Sequence, residues 1–333
     1  MLNLVRVGLL AVVVWSGYWT IAGLGLRSSV TNWFTAQADR GWQAEHSQVS
    51  LSGFPLQHRI TIDAPALADP ATGTAWRADW LALESPAIWP GRQTLYFPET
   101  HQRLSYYDQT LVIEAAAMRA DLDLAPGNAL TLRSMALTAG EWSVSRGGEV
   151  WADADALSIS MQQQEKPETY RIHAEASDLA PGKDMRRLLG GAEELPRSFD
   201  RLELDLDVDF DKSWDRTALE ESRPQPRLIN LKLAEAAWGE LRLFAAGKVS
   251  VDDYGVPTGE VALKAENWRE MVAMAQQSGA LPVRAAEPLT KVLNMLAGLG
   301  GNPEALDLEL GFRGGYVTLG PIPLGPAPRL FLR

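Results

Sequence analysis

The chain has 333 residues, 46% hydrophobic and 22% charged, the proportions of a globular protein with a sizeable core rather than of a disordered chain. Its 31 basic and 42 acidic residues leave a formal net charge of -11, and no Lys/Arg-rich patch offsets it, so general attraction for nucleic acid is excluded. Cysteine is absent, which removes both disulfides and thiolate chemistry.

The first element in chain order is VGLLAVVVWSGYWTIAGLGL, Val7 to Leu26, with Arg6 before it and Arg27 after it. It is charge-free and, as a helix, roughly the length needed to cross a bilayer's hydrocarbon core. The rival reading is a cleaved signal peptide. Its apolar region would be shorter, and no small-x-small site precedes a clean mature start. Residues 1–27 are therefore read as an uncleaved transmembrane signal anchor. Trp15 and Trp19 lie one turn apart in the outer half, where amphipathic rings favour the interface. Flanking charges are nearly balanced and decide little about orientation. A short stub before a large body is the arrangement of a signal anchor with an exported body. Residues 28–41 continue as a juxtamembrane helix, with Val30, Trp33, Phe34 and Gln37 on one side and Gly41 at its end. That side is expected to lie against the body.

From Trp42 onward, period-two alternation recurs between short polar turns. Leu56, His58, Ile60 and Ile62 share one face; so do Leu241, Leu243, Ala245, Gly247, Val249 and Val251. Ile229, Leu231 and Leu233 alternate with polar neighbours, as do Leu306, Leu308, Leu310 and Phe312. The fold class expected is mainly β: a transmembrane helix, then a curved, largely antiparallel sheet body over 42–333, as one sheet or as two (42–200 and 201–333). Three helical stretches interrupt it. Lys183 to Gly191 is short. Trp268 onward follows the capping pattern of Asn267 and Glu270, and Leu289, Val292, Leu293 and Leu296 mark a partner helix ending in GLGG. This hairpin is expected to cap a sheet end and block edge-to-edge association.

RLELDLDVDF, Arg201 to Phe210, puts Asp205, Asp207 and Asp209 on one face of a strand, continued by Asp211. A calcium loop shares the D-x-D-x-D spacing but needs a turning glycine and a later bidentate Glu; here Val208 and Phe210 continue the strand and no such glycine follows. The acidic row is read as a solvated face and the apolar row as the working one. His46, His58, His101 and His173 are isolated, Ser lacks a G-x-S-x-G elbow, and GLGGNPEA is a helix end, not a phosphate loop. No catalytic set, metal site or cofactor fingerprint is found, so an enzyme is not expected.

SGFPLQHRITIDAP (52–65), AWRADWLALESPAIWPGRQTLYFP (75–98), AWGELRLFAAGKVSVDDYGVPTGEVALKAENW (237–268) and the tail LGPIPLGPAPRL together resemble a family of bacterial membrane-anchored proteins, domain of unknown function 2125. The resemblance implies an alphaproteobacterial-type source, an inner-membrane anchor and a periplasmic body, and brings no catalytic residues. Gly53-Phe54-Pro55 and the D-x-x-G-x-x-x-G stretch from Asp252 to Gly259 are similar to patterns of the AsmA-like envelope proteins. That wider resemblance implies a sheet whose apolar groove conducts phospholipid.

The expected function is accordingly a single-pass membrane protein that binds or shields lipid, or assists envelope assembly, without a cofactor. Its groove would be lined by Leu202, Leu204, Leu206, Val208, Phe210, Leu241, Leu243 and Val249. Small residues in AAAMRA and FAAGK hint at a groove, although alternation alone does not separate groove from packed core. The alternative is an envelope scaffold that meets a partner protein through exposed tryptophans such as Trp76, Trp80 and Trp89.

Overall fold

The structure is a computed structural model that describes residues 2–190, 195–279, 281, 283–299 and 302–332. The protein is mainly β and divides into two compact units, Met1–Leu130 and Thr131–Arg333. The expected division near residue 200 falls inside the second unit, where two paired strands bracket it.

The first unit opens with α1 (Leu2–Asp39), one uninterrupted helix in which the juxtamembrane stretch continues the apolar run. The apolar run makes its first half, and it ends where Gly41 takes a positive φ of 90°. Ten strands follow: β1 (Gln43–Glu45), β2 (Gln48–Ser52), β3 (Gln57–Asp63), β4 (Ala66–Asp69) and β5 (Thr74–Arg77) come first. Then come β6 (Trp80–Pro86), β7 (Arg92–Tyr96), β8 (Gln102–Tyr106), β9 (Gln109–Ala115) and β10 (Arg119–Leu124). They pair in two orders, β1-β4-β5-β8-β9 and β2-β3-β6-β7-β10, all antiparallel.

Two aspects of α1 follow from its sequence. Residues 3–14 are exposed on every side. From Trp15 to Gln37 a stripe at helical spacing turns to the strands: Trp19, Gly23, Phe34 and Gln37 are buried, and Leu26, Val30 and Trp33 are partly so. Phe34 joins Val49, Ile60 and Ile62 in the unit's core. The expected packing of the helix's second half is thus present, and body contact begins well inside the run read as the span. Gly23 permits the close approach; a Cβ there would come within 2.6 Å of the Leu51 side chain.

The second unit contains β11 (Leu132–Ala139), β12 (Trp142–Arg146), β13 (Glu149–Ala154), β14 (Ala156–Gln163), β15 (Thr169–Ser177), β16 (Ala180–Pro181) and α2 (Lys183–Leu189). Next are β17 (Arg201–Phe210), α3 (Thr217–Glu220), β18 (Pro226–Trp238), β19 (Leu241–Val251) and β20 (Pro257–Glu266). The helices α4 (Trp268–Gln277) and α5 (Val283–Leu299) precede β21 (Ala305–Arg313), β22 (Tyr316–Leu319) and β23 (Ile322–Pro326). Its main sheet runs β11-β14-β15-β17-β18-β19-β20-β21-β22-β23, every neighbouring pair antiparallel. The meander read from the alternation is present, with β19 and β20 joined where Asp252 accepts from the Tyr254 and Val256 amides and Gly255 takes a positive φ of 73°.

Two local expectations are corrected. Asn267 sits in the left-handed region, at φ 58°, and does not cap α4; its amide nitrogen donates instead to the Glu240 carbonyl (2.6 Å), tying α4's start to the β18–β19 turn. The helical pair does not cover a sheet edge. Trp268, Leu293 and Ala297 pack with Leu306 on the apolar face of β20 and β21, because that face offers more area to bury than an edge does. Of the helix positions named from sequence, the Leu289 side chain and Gly191, Gly300 and Gly301 lie outside the described residues.

Candidate functional site

Register defines the site. Residues directly opposite on antiparallel neighbours point to the same face. One line across the second unit's sheet therefore reads Leu157, Ala176, Leu202, Ala236, Leu243, Ala265. The next reads Ile159, Ala174, Leu204, Ala234, Ala245, Leu263. Large and small side chains alternate from strand to strand, except where Ala234 and Ala245 adjoin, so the leucines stand above an alanine floor. The result is an open depression of about 350 Å³, its exposed lining almost wholly apolar, at the small end of ligand-pocket volumes. Leu204 and Leu243, 37% and 38% exposed, are its open rim.

The eight residues expected to line a groove are distributed unequally. Leu202, Leu204 and Leu243 line the depression. Val208 and Phe210 lie instead in a closed core with Met161 and Tyr170, and Leu206 packs against it. The cause is the segment after β17: Trp214 returns over the sheet and meets Phe210 edge to face at 5.5 Å. The Tyr170 hydroxyl locks that return, donating to the Leu132 carbonyl (2.9 Å) and accepting from the Trp214 amide (3.3 Å). Burial pushes the Tyr170 phenol above its ordinary pKa. Leu241 is buried beside its register partner Trp238, whose ring stacks on Phe199 at 4.4 Å, and Val249 is buried opposite Gly259; neither reaches the depression.

The alanines were missed by a reading that looked for large side chains. Their signal is present as A-x-A in HAEAS and AEA, two strands whose apolar face carries only methyl groups at these positions. Of the small-residue stretches noted from sequence, FAAGK contributes Ala245, whereas Ala115 and Ala120 of AAAMRA are simply buried in the first unit.

The opposite face carries the acidic row, and each member has its own counterpart. Arg201 pairs with Glu203 and reaches Glu235 (3.2 Å); Arg171 holds Asp205 (2.6 Å); Lys232 holds Asp207 (2.7 Å); the Thr169 hydroxyl donates to Asp209 (2.6 Å). The Arg171 guanidinium, by its hydrogen bonds and its charge, holds the Asp205 carboxyl below the usual range. Straight strands spread these carboxylates along the sheet, and among the described residues no three His, Asp or Glu side chains are grouped to hold a metal ion. Of the tryptophans considered as contact residues, Trp76 and Trp80 are partly buried and Trp89 is exposed.

No curated protein matches this chain. A family model described as an uncharacterized protein conserved in bacteria matches residues 19–328, a stretch that takes in the second half of α1 and nearly all of both units. The chain belongs to that family, domain of unknown function 2125.

Proposed function

We propose that α1 tethers this protein in a bacterial inner membrane, with the body in the periplasm. There the open apolar face of the second unit binds or shields lipid acyl chains, in envelope assembly or lipid transport. The depression between Leu202, Leu204 and Leu243 carries the reading: apolar surface left uncovered in a protein whose neighbouring sheet face is filled. Acyl chains seated there gain about 25 cal/mol per Å² of apolar surface removed from water. A helix long and apolar enough to cross a membrane, the exposed collar of residues 3–14 and the likeness of Gly53-Phe54-Pro55 to AsmA-like proteins support the setting. The protein acts by binding, without a cofactor and without chemistry of its own.

The test places a photo-crosslinking residue at Leu204 or Leu243, and at Lys232 on the opposite face as a control, in the full chain in cells. Phospholipid adducts at Leu204 and Leu243 but not at Lys232 are expected. Adducts to another protein at these rim positions would instead support the alternative reading as an envelope scaffold, and adducts to neither would overturn both.

A further inference from the structure

The contacts of α1 with the two loops beside it point to a second membrane contact, made by the body itself. The Trp15 indole donates to the Pro55 carbonyl (3.0 Å), Tyr18 to that of Ala87 (2.8 Å) and Trp19 to that of Gln57 (2.8 Å). The loops are joined to each other by the Ala87 amide and the Leu56 carbonyl (2.9 Å). Ser52–His58 and Ser85–Gly91 contain no Asp, Glu, Lys or Arg, in a chain with 22% charged residues. The large apolar side chains they show to solvent are Leu56 (75% exposed), Ile88 (74%), Phe54 (53%) and Trp89 (51%). Exposed apolar residues so concentrated are uncommon on a water-facing surface.

The helix fixes where this tip sits. At about 1.5 Å per residue, Asn3 to Trp19 spans about 24 Å, close to the ~30 Å hydrocarbon core. From Trp19 onward one side of α1 is covered by strands, which do not pack beside a helix in hydrocarbon as an open sheet. The span therefore runs over the first half of α1, and Trp15, Tyr18 and Trp19 mark its outer boundary. That level, which amphipathic aromatic rings favour, is where the two loops are bound. We infer that Phe54, Leu56, Ile88 and Trp89 form a lip inserted into the bilayer's outer interface, seating the first unit on the lipid surface. The inference rests on the anchor reading above.

The absence of cysteine makes the test direct. Single variants Val12→Cys, Leu56→Cys, Ile88→Cys and, as a control in the exposed β8–β9 turn, Asp108→Cys of the full chain carry an environment-sensitive fluorophore. Each is reconstituted in phosphatidylcholine–phosphatidylglycerol vesicles containing lipids with a nitroxide high or low on the acyl chain. Expected is loss of most fluorescence at Val12 with the deep nitroxide, a comparable loss at Leu56 and Ile88 with the shallow one, and none at Asp108. Quenching at Val12 without quenching at Leu56 and Ile88 overturns the lip and leaves the anchor standing. No quenching at Val12 overturns the anchor reading and the lip with it.

Discussion

Within one strand of the second unit, β17, two halves of the same apolar row meet different fates. Val208 and Phe210 are buried under Trp214 and beside Tyr170, while Leu204, two turns of the alternation away, stands 37% exposed above alanines. Nothing in the local pattern distinguishes them, because alternation reports which face a side chain takes and not what covers that face. Cover comes from the connecting segments that fold back over the sheet: the return after β17 at one end, α4 and α5 over β20 and β21 at the other. The open stretch lies on the strands neither of them covers.

The widest contrast comes from truncating one residue of each kind. Phe210→Ala is expected to cost about 3–5 kcal/mol, since it leaves a cavity in a packed cluster. Leu204→Ala should cost under about 1 kcal/mol, because much of that side chain is already in water. Hydrogen exchange of the β17 and β18 amides as urea is raised would read both values from the second unit alone. Similar costs at the two positions would mean that both ends of the row are covered.

A polar substitution sharpens the same boundary. Leu204→Asp should leave the second unit folded, with a loss of about 1 kcal/mol or less, whereas Val208→Asp buries an unpaired carboxylate and should unfold it. Circular dichroism of the two purified variants would settle the matter, and an unfolded Leu204→Asp would argue against an open face. Tyr170→Phe is milder than Val208→Asp. It removes a hydroxyl bound to the Leu132 carbonyl and the Trp214 amide, so about 1–2 kcal/mol is expected, with the greatest gain in exchange at Trp214.

These effects also mark what could be read without coordinates. Facing was legible where the strands alternate cleanly, as in β19 and β21, and the β19–β20 pairing was legible because its turn carries Asp252 and Gly255 at the required offsets. The cover was not, because Trp214 and the α4–α5 pair look alike in sequence whether they lie on a face or against an edge. The bulge near Lys232 and Leu233 was hidden too: it turns Leu233 opposite Asp205, on the charged face, although its spacing fits the apolar row of Ile229 and Leu231. In the first unit the charge-free run gave the existence of the helix, but its uniform apolarity concealed where the body takes hold. Only the partners of Trp15, Tyr18 and Trp19 place that point.

The smallest effect belongs to the face that remains wet throughout. Arg171 and Asp205 bridge β15 and β17 at 2.6 Å, with the arginine side chain 48% exposed and the aspartate 15%. Solvent on the arginine side screens the pair and keeps its contribution small. The folded Asp205 pKa lies below its unfolded value, so the contribution is fully present above about pH 4 and disappears as pH falls through the folded pKa. Arg171→Ala should therefore lower the stability of the second unit at neutral pH and converge with the parent protein in acid. A difference that persisted unchanged below the folded pKa would show that Arg171 contributes by packing its methylene stem over β17, and not by its charge.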